Sequence, residues 1–291
     1  MAINAGDIAF VGVNATNPDQ FAILALNAIA TGDSFFVTDG GITNSTSGAA
    51  SAYFRASEGF LQYTAPSGGI AAGTVILINA GGGSTPSVSL NGGGSAGTVT
   101  LLQNGNTPSN ITNFSFSTSG DSLTAYRVST GTHLTGNPIL IAFIGFGVAP
   151  YGSGDASNSN LPTITNGQVL NVGNFDNAIF TNAASVYSQS ITTLSTAANF
   201  NARNNDQVDL STLASAPAAP TVSLSLSSTT GSETGQTIIT VTATSSRAVA
   251  GNQTVALAVT GSGITAGDYS LSNSTITIAS GSTSGSVTFT V

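Results

Sequence analysis

Apolar residues alternate with serine and threonine along much of this chain, the spacing of strands that bury one face and wet the other. The alternation is cleanest near the C-terminus. There Val222, Leu224 and Leu226, then Ile239, Val241 and Ala243, Val255, Leu257 and Val259, Ile276 and Ile278, and finally Val287, Phe289 and Val291 recur at every second position. β-Branched threonine on the opposite face favours an extended backbone while keeping that face polar. Ala250-Gly251-Asn252 and Ser280-Gly281-Ser282 supply the reversals between strands.

Upstream, strand-like runs are predicted at 7–13, 21–26, 34–38, 74–79, 98–103, 122–128 and 139–146. One short helix is expected within 190–200, where Ile191, Leu194 and Ala198 share a face. Gly81-Gly82-Gly83-Ser84 and Asn91-Gly92-Gly93-Gly94-Ser95 read as surface excursions around a brief alternation at Val88 and Leu90. Leu213-Ala214-Ser215-Ala216-Pro217-Ala218-Ala219-Pro220 is a run of mostly small residues with two prolines between regions of different texture. The pattern therefore predicts an all-β chain, with a larger N-terminal β-sandwich carrying long loops at 1–213, a spacer at 214–220 and a small sandwich at 221–291. A turn motif recurs three times, as Ile29-Ala30-Thr31-Gly32-Asp33, Ile70-Ala71-Ala72-Gly73-Thr74 and Ile264-Thr265-Ala266-Gly267-Asp268. It places glycine in a tight turn just before a strand and reads as sheet punctuation.

Composition narrows the chemistry. Charged residues are 5% of the 291, with 4 Lys+Arg, none of them lysine, against 12 Asp+Glu and a net charge of −8. Such a field repels nucleic acid, and no basic cluster interrupts it. Solubility falls to hydroxyl and amide groups. With no cysteine, a thiol nucleophile and a disulfide framework are both excluded. The start, Met1-Ala2-Ile3-Asn4-Ala5-Gly6-Asp7, shows neither a basic nor an apolar signal-peptide region. The longest apolar run, at 138–149, is too short for a membrane-spanning helix and reads as a buried strand.

Few side chains remain for catalysis. His133, the lone histidine, sits in a polar turn after a strand, with no Gly-x-Ser-x-Gly elbow beside a recognisable α/β pattern and no second histidine or thiol for zinc. The glycine-rich loops lack the lysine and following helix of a phosphate cradle. Asp33 and Asp39 flank the strand at 34–38, and Glu58 lies in the next loop. Brought together, these carboxylates could ligate calcium or form a glycosidase pair; held apart, they cap turns. Phe10, Phe21, Phe35, Phe36, Tyr53, Phe54, Phe60 and Tyr63 read as core rather than as a sugar platform, and the chain has no tryptophan.

Two resemblances sharpen these expectations. Val222-Ser223-Leu224-Ser225, Gly231-Ser232-Glu233-Thr234-Gly235, Gly263-Ile264-Thr265-Ala266-Gly267-Asp268-Tyr269 and Gly285-Ser286-Val287-Thr288-Phe289-Thr290-Val291 together resemble a bacterial Calx-beta domain. The resemblance covers 221–291 and implies an immunoglobulin-like Greek-key sandwich. It also implies calcium near acidic residues, to which Glu233 and Asp268 correspond. It further implies a closing strand beyond Val291, so that 285–291 is expected to be an unpaired edge open to self-association. In the first region, Gly6-Asp7-Ile8-Ala9-Phe10-Val11-Gly12-Val13, Phe36-Val37-Thr38-Asp39-Gly40-Gly41, Phe54-Arg55-Ala56-Ser57-Glu58-Gly59 and 65–74 resemble the N-terminal module of large secreted proteins of cyanobacteria and related bacteria. The expected function is a non-enzymatic structural or adhesive module, secreted or on a bacterial surface, that self-associates or meets a cell-surface or matrix partner. The alternative is an accessory region of a secreted hydrolase acting on glycans or phosphoesters.

Overall fold

The computed structural model describes residues 2–16, 18–42, 49–54, 59–80, 85–102, 114–117, 120–147, 162–216, 221–246, 249, 252–265 and 267–291. The chain is almost entirely β and divides into two compact units, Met1–Pro217 and Ala218–Val291.

The first unit is built from β1 (Ile8–Asn14), β2 (Gln20–Ala25), β3 (Ser34–Thr38), β4 (Phe60–Thr64), β5 (Val75–Asn79), β6 (Ser87–Asn91), β7 (Thr98–Leu102), β8 (Gly120–Val128), β9 (Pro138–Gly147), β10 (Gln168–Asn171), β11 (Asn177–Phe180) and β12 (Phe200–Arg203). They form two six-stranded sheets, ordered β12-β11-β1-β2-β5-β6 and β10-β9-β8-β3-β4-β7. Pairing is antiparallel except between β9 and β10. Phe10, Phe21 and Ile23 of the first sheet share one apolar cluster with Phe35, Tyr63 and Ile144 of the second, so the sheets close on a common core.

The outer faces are covered too, which is why β1 is buried at every position. Val186, Leu194, Leu210 and Leu213, from the short helices of the 183–213 segment, join the same core. Between Phe10 and Gly12 a β-bulge interrupts the β1–β2 register, and any Cβ at Gly12 would overlap the Leu210 side chain. Over the other sheet, Ala50 of α1 (Ala50–Tyr53) packs with Phe54, Phe60 and Tyr126. The first two turn repeats pair with each other: Ile29 and Ile70 exchange backbone hydrogen bonds of 2.9 and 2.8 Å. The helix expected within 190–200 is one turn, α2 (Ile191–Leu194), capped by the Ser190 hydroxyl.

The expected spacer is partly absorbed into the first unit. Ala214 N–H donates to Ala183 (2.9 Å), Ala216 N–H donates to Gly73 (2.7 Å), and the Ser215 hydroxyl donates to Asn91 C=O while accepting from Val75 N–H. Residues 217–220 lie outside the described residues.

The second unit comprises β13 (Val222–Leu226), β14 (Ile238–Ser245), β15 (Gln253–Ala256), β16 (Ser270–Leu271), β17 (Thr275–Ile278) and β18 (Ser284–Thr290). A sheet ordered β13-β14-β18-β16 faces the pair β15-β17 across Val241, Ala243, Ile276, Ile278 and Val287. Gly285 lets β18 pass close to β17, since a Cβ there would overlap Thr277 C=O. Two expectations are corrected. The C-terminal strand is interior, held by β14 on one side and at its end by β16 on the other, and Val291 N–H donates to Thr237 (3.1 Å). A free edge of this sheet is instead β13, whose Val222, Leu224 and Leu226 remain 46%, 54% and 54% exposed, since among the described residues the facing sheet has two strands.

One buried side chain stands in for missing sheet. β11 pairs with β1 only from Gly12 to Asn14, so Phe10, whose N–H and C=O point away from β2, lies past its end. The Gln168 carboxamide, fully buried, fills this place: Oε1 accepts from Phe10 N–H (2.7 Å), and Nε2 donates to Phe10 C=O (2.8 Å) and Leu194 C=O (2.7 Å). Gln168→Leu would keep the bulk but orphan three buried backbone groups, and should lower the unfolding free energy by about 3 kcal/mol. Urea denaturation tests this; an unchanged midpoint and slope would contradict it.

Candidate functional site

The acidic residues singled out in the first unit do not converge. Asp33 and Asp39 flank the five residues of β3, which sets their backbones about 20 Å apart along an extended strand. Glu58 lies outside the described residues. Asp39 is 1% exposed, with Oδ1 accepting from Gly59 N–H (2.6 Å) and Oδ2 from Ser115 N–H (3.0 Å).

That second bond belongs to a larger arrangement. Three consecutive amides of the 114–117 segment each donate to a buried carboxylate from a different part of the chain. Ser115 N–H meets Asp39, Phe116 N–H meets Asp19 Oδ2 at 3.0 Å, and Ser117 N–H meets Asp121 Oδ2 at 2.9 Å. Asp121 Oδ1 also accepts from Ser122 N–H (2.7 Å). The three acids lock the segment down, so that Phe114 and Phe116 pack against Phe21 and Phe146. Burial raises the pKa of Asp19 above the usual 3.8, opposed by hydrogen bonds from Phe116 N–H and the Ser115 side chain. Among the described residues, no three of His, Asp and Glu gather as metal ligands.

His133 is packed rather than poised. Its ring lies 5.8 Å from Phe36 and 5.5 Å from Phe60 between centroids, and its C=O accepts from the Tyr126 hydroxyl at 3.0 Å. Desolvation drives the Tyr126 phenol far above its ordinary pKa, and pushes Tyr63, whose hydroxyl donates to Ala96 C=O, up to about 12. Phe10, Phe21, Phe35, Phe54, Phe60 and Tyr63 are buried, while Phe36 and Tyr53 are half-buried, so these rings form core and not a sugar platform.

In the second unit, Glu233 is exposed on a turn and Asp268 is half-buried at a bend. Asp268 closes its own turn: Oδ2 accepts from Thr265 N–H (2.5 Å) and Thr265 Oγ1 (2.9 Å), which lowers its pKa. Calcium requires six to eight oxygens. With one of Asp268's oxygens already engaged by Thr265, these two carboxylates do not by themselves fit such a shell.

The second unit also carries an apolar groove of about 400 Å³, whose lining includes Leu224, Leu226, Ile239, Val241, Leu257 and Phe289. It opens between the larger sheet and the chain leaving β15. Its lining residues carry no charge and no titratable group, so it can bury aliphatic side chains and cannot move protons. The alternation puts Leu224 and Leu226 on a core-facing side, and nothing in the sequence singles out Asp19 and Asp121. The alternation at β13 was legible; the narrowness of the sheet opposite was not.

No protein-family model, curated protein or solved structure matches the chain. No helix among the described residues is long and apolar enough to cross a membrane, and the apolar run at 138–149 supplies β9.

The aspartates give stability a sign-specific pH dependence. Asp19 has a raised folded pKa, so the folded state holds its proton longer than the unfolded chain does. Stability from this group falls as pH rises from 3.8 through the raised value. Asp268 acts oppositely: its contribution is present above 3.8 and is lost as pH falls through its lowered pKa. Urea titrations of the wild type and Asp19→Asn across acidic pH should show the wild type losing stability relative to the variant as pH rises through that window. A constant difference would contradict the assignment.

Proposed function

We propose that the chain is a non-catalytic structural or adhesive module of a bacterial cell-surface or secreted protein, presenting loops and strand edges from a β scaffold. The observation that carries this reading is the use made of its few acids. Asp19, Asp39, Asp121 and Asp268 each accept hydrogen bonds from backbone amides. Groups committed in this way are structural acceptors, and proton transfer or metal ligation would require breaking bonds that hold loops in place.

The character of the surface agrees. Exposed strand faces carry serine and threonine where most proteins carry lysine and glutamate, so contact with a neighbouring surface meets little charge to desolvate. Of the arginines among the described residues, Arg127 and Arg203 lie within strands β8 and β12, out of ready reach of trypsin-like proteases, and the chain has no lysine to cleave. Resistance of this kind suits a protein exposed outside the cell.

The purified full-length chain should bind bacterial envelopes or an extracellular matrix fraction in a pull-down, with and without added calcium. It should show no turnover of glycan or phosphoester substrates. Turnover abolished by Asp39→Asn in a protein that remains folded would overturn the proposal, as would failure to bind any envelope or matrix preparation.

A further inference from the structure

β13 is a sheet edge without the usual protection. Edge strands that stay unpaired are normally guarded by lysine, proline, a bulge or great shortness. From Thr221 to Ser232 there is no charged residue and no proline, and β13 pairs with β14 in unbroken register over five residues. The hydrogen bonds of that pairing fix which groups are free. Thr221 C=O accepts from Ser246 N–H, and Ser227 N–H donates to Thr240 C=O, so the odd-numbered residues turn towards β14. By alternation, Val222, Leu224 and Leu226 direct their N–H and C=O groups outwards from the sheet.

The same three residues present their side chains to the inner face, beside Ser245, Ala243 and Val241 of β14, where they are half-exposed and Leu224 and Leu226 line the groove. The sequence Val-Ser-Leu-Ser-Leu is nearly symmetric about Leu224. Placed antiparallel against a second copy of itself and centred on Leu224, the strand sets Leu224 opposite Leu224, and Val222 opposite Leu226. Ser223 then faces Ser225 on the outer face. Each outward N–H and C=O of residues 222, 224 and 226 meets an outward partner, and apolar side chains meet only apolar ones.

We propose that β13 is a homotypic joint: two copies of this chain pair antiparallel through residues 222–226, with the two-fold axis at Leu224. The sheet would run unbroken across the junction, and the aliphatic rims of the two grooves would be brought together at its inner face. Charge steers two copies to this edge rather than to other surfaces, because the strand carries none while the whole chain carries −8, so contacts elsewhere between copies are repelled more. A five-residue pairing buries on the order of several hundred Å², below the roughly 1,200 Å² of a stable interface. The dimer is therefore weak and concentration-dependent. The inference rests on the reading of this protein as an assembling scaffold.

Sedimentation velocity of the full chain from micromolar to millimolar concentration should show a monomer passing into a dimer. Leu224→Lys and Leu224→Glu should each shift dimerisation at least tenfold higher in concentration, because the axis sets like charges face to face. An equal mixture of the two should recover a heterodimer. Unchanged circular dichroism and urea midpoints would confirm that both variants fold. A wild type that stays monomeric throughout overturns the joint, as does a dimer indifferent to Leu224→Lys; a mixture that fails to recover overturns the Leu224-centred register. The test separates this inference from the functional reading: a strict monomer that still binds envelopes sinks only the joint, and a dimer that binds none sinks only the adhesive role.

Discussion

Every part of the first unit depends on satisfying backbone groups that its two sheets cannot pair for themselves. A sandwich covered on both outer faces buries the ends of strands and the loops between them, and each buried N–H or C=O without a partner costs about 1–3 kcal/mol. Charge pairs are scarce, so short amide and carboxylate side chains meet the need. Gln168 completes β1 beyond the end of β11. Asn14 exchanges hydrogen bonds of 2.8 and 2.9 Å with the backbone of Val208, and Asn91 donates to Leu210 and Leu213. These bonds tie the 208–213 segment over the core that it helps to cover.

The same constraint accounts for the acids. In a chain with so few charges, a carboxylate at 1–5% exposure is a candidate for chemistry until its partners are known. The partners of Asp19, Asp39 and Asp121 prove to be adjacent amides of one segment. The side-chain-to-backbone hydrogen bonds of the second unit, such as Ser280 N–H to Asn252 and Thr288 N–H to Ser272, lie at exposed positions, and apolar surface there is left open. A four-stranded sheet facing only two strands cannot cover its own margin, and the functional reading places contacts with other molecules at that margin.

Legibility in the sequence followed exposure. Where one face meets water, alternation is plain, and β17 within the C-terminal alternation stands where the pattern puts it. Where both faces are covered, alternation fades. β4, Phe-Leu-Gln-Tyr-Thr, turns Leu61 and Tyr63 to the main core and Phe60 to the aromatic cluster behind it, and it was not predicted. Nor were β10, β11 and β12, each only four residues long. The carboxylate contacts were illegible for a different reason: Asp39 and Asp19 reach amides 76 and 97 residues away, and nothing local marks an aspartate as the acceptor for a distant turn. The misassigned edge at 285–291 came from the resemblance, which implied a closing strand; the two-residue β16 pairs there instead.

The central claim is that Asp19, Asp39 and Asp121 serve as structural acceptors for backbone amides. Amide hydrogen exchange at Ser115, Phe116 and Ser117 near neutral pH tests it most directly. The account predicts protection comparable to that of the core strands, although these residues belong to no sheet, and loss of protection at Ser115 in Asp39→Ala and at Phe116 in Asp19→Ala. Exchange at the rate of an open loop in the wild type would contradict it.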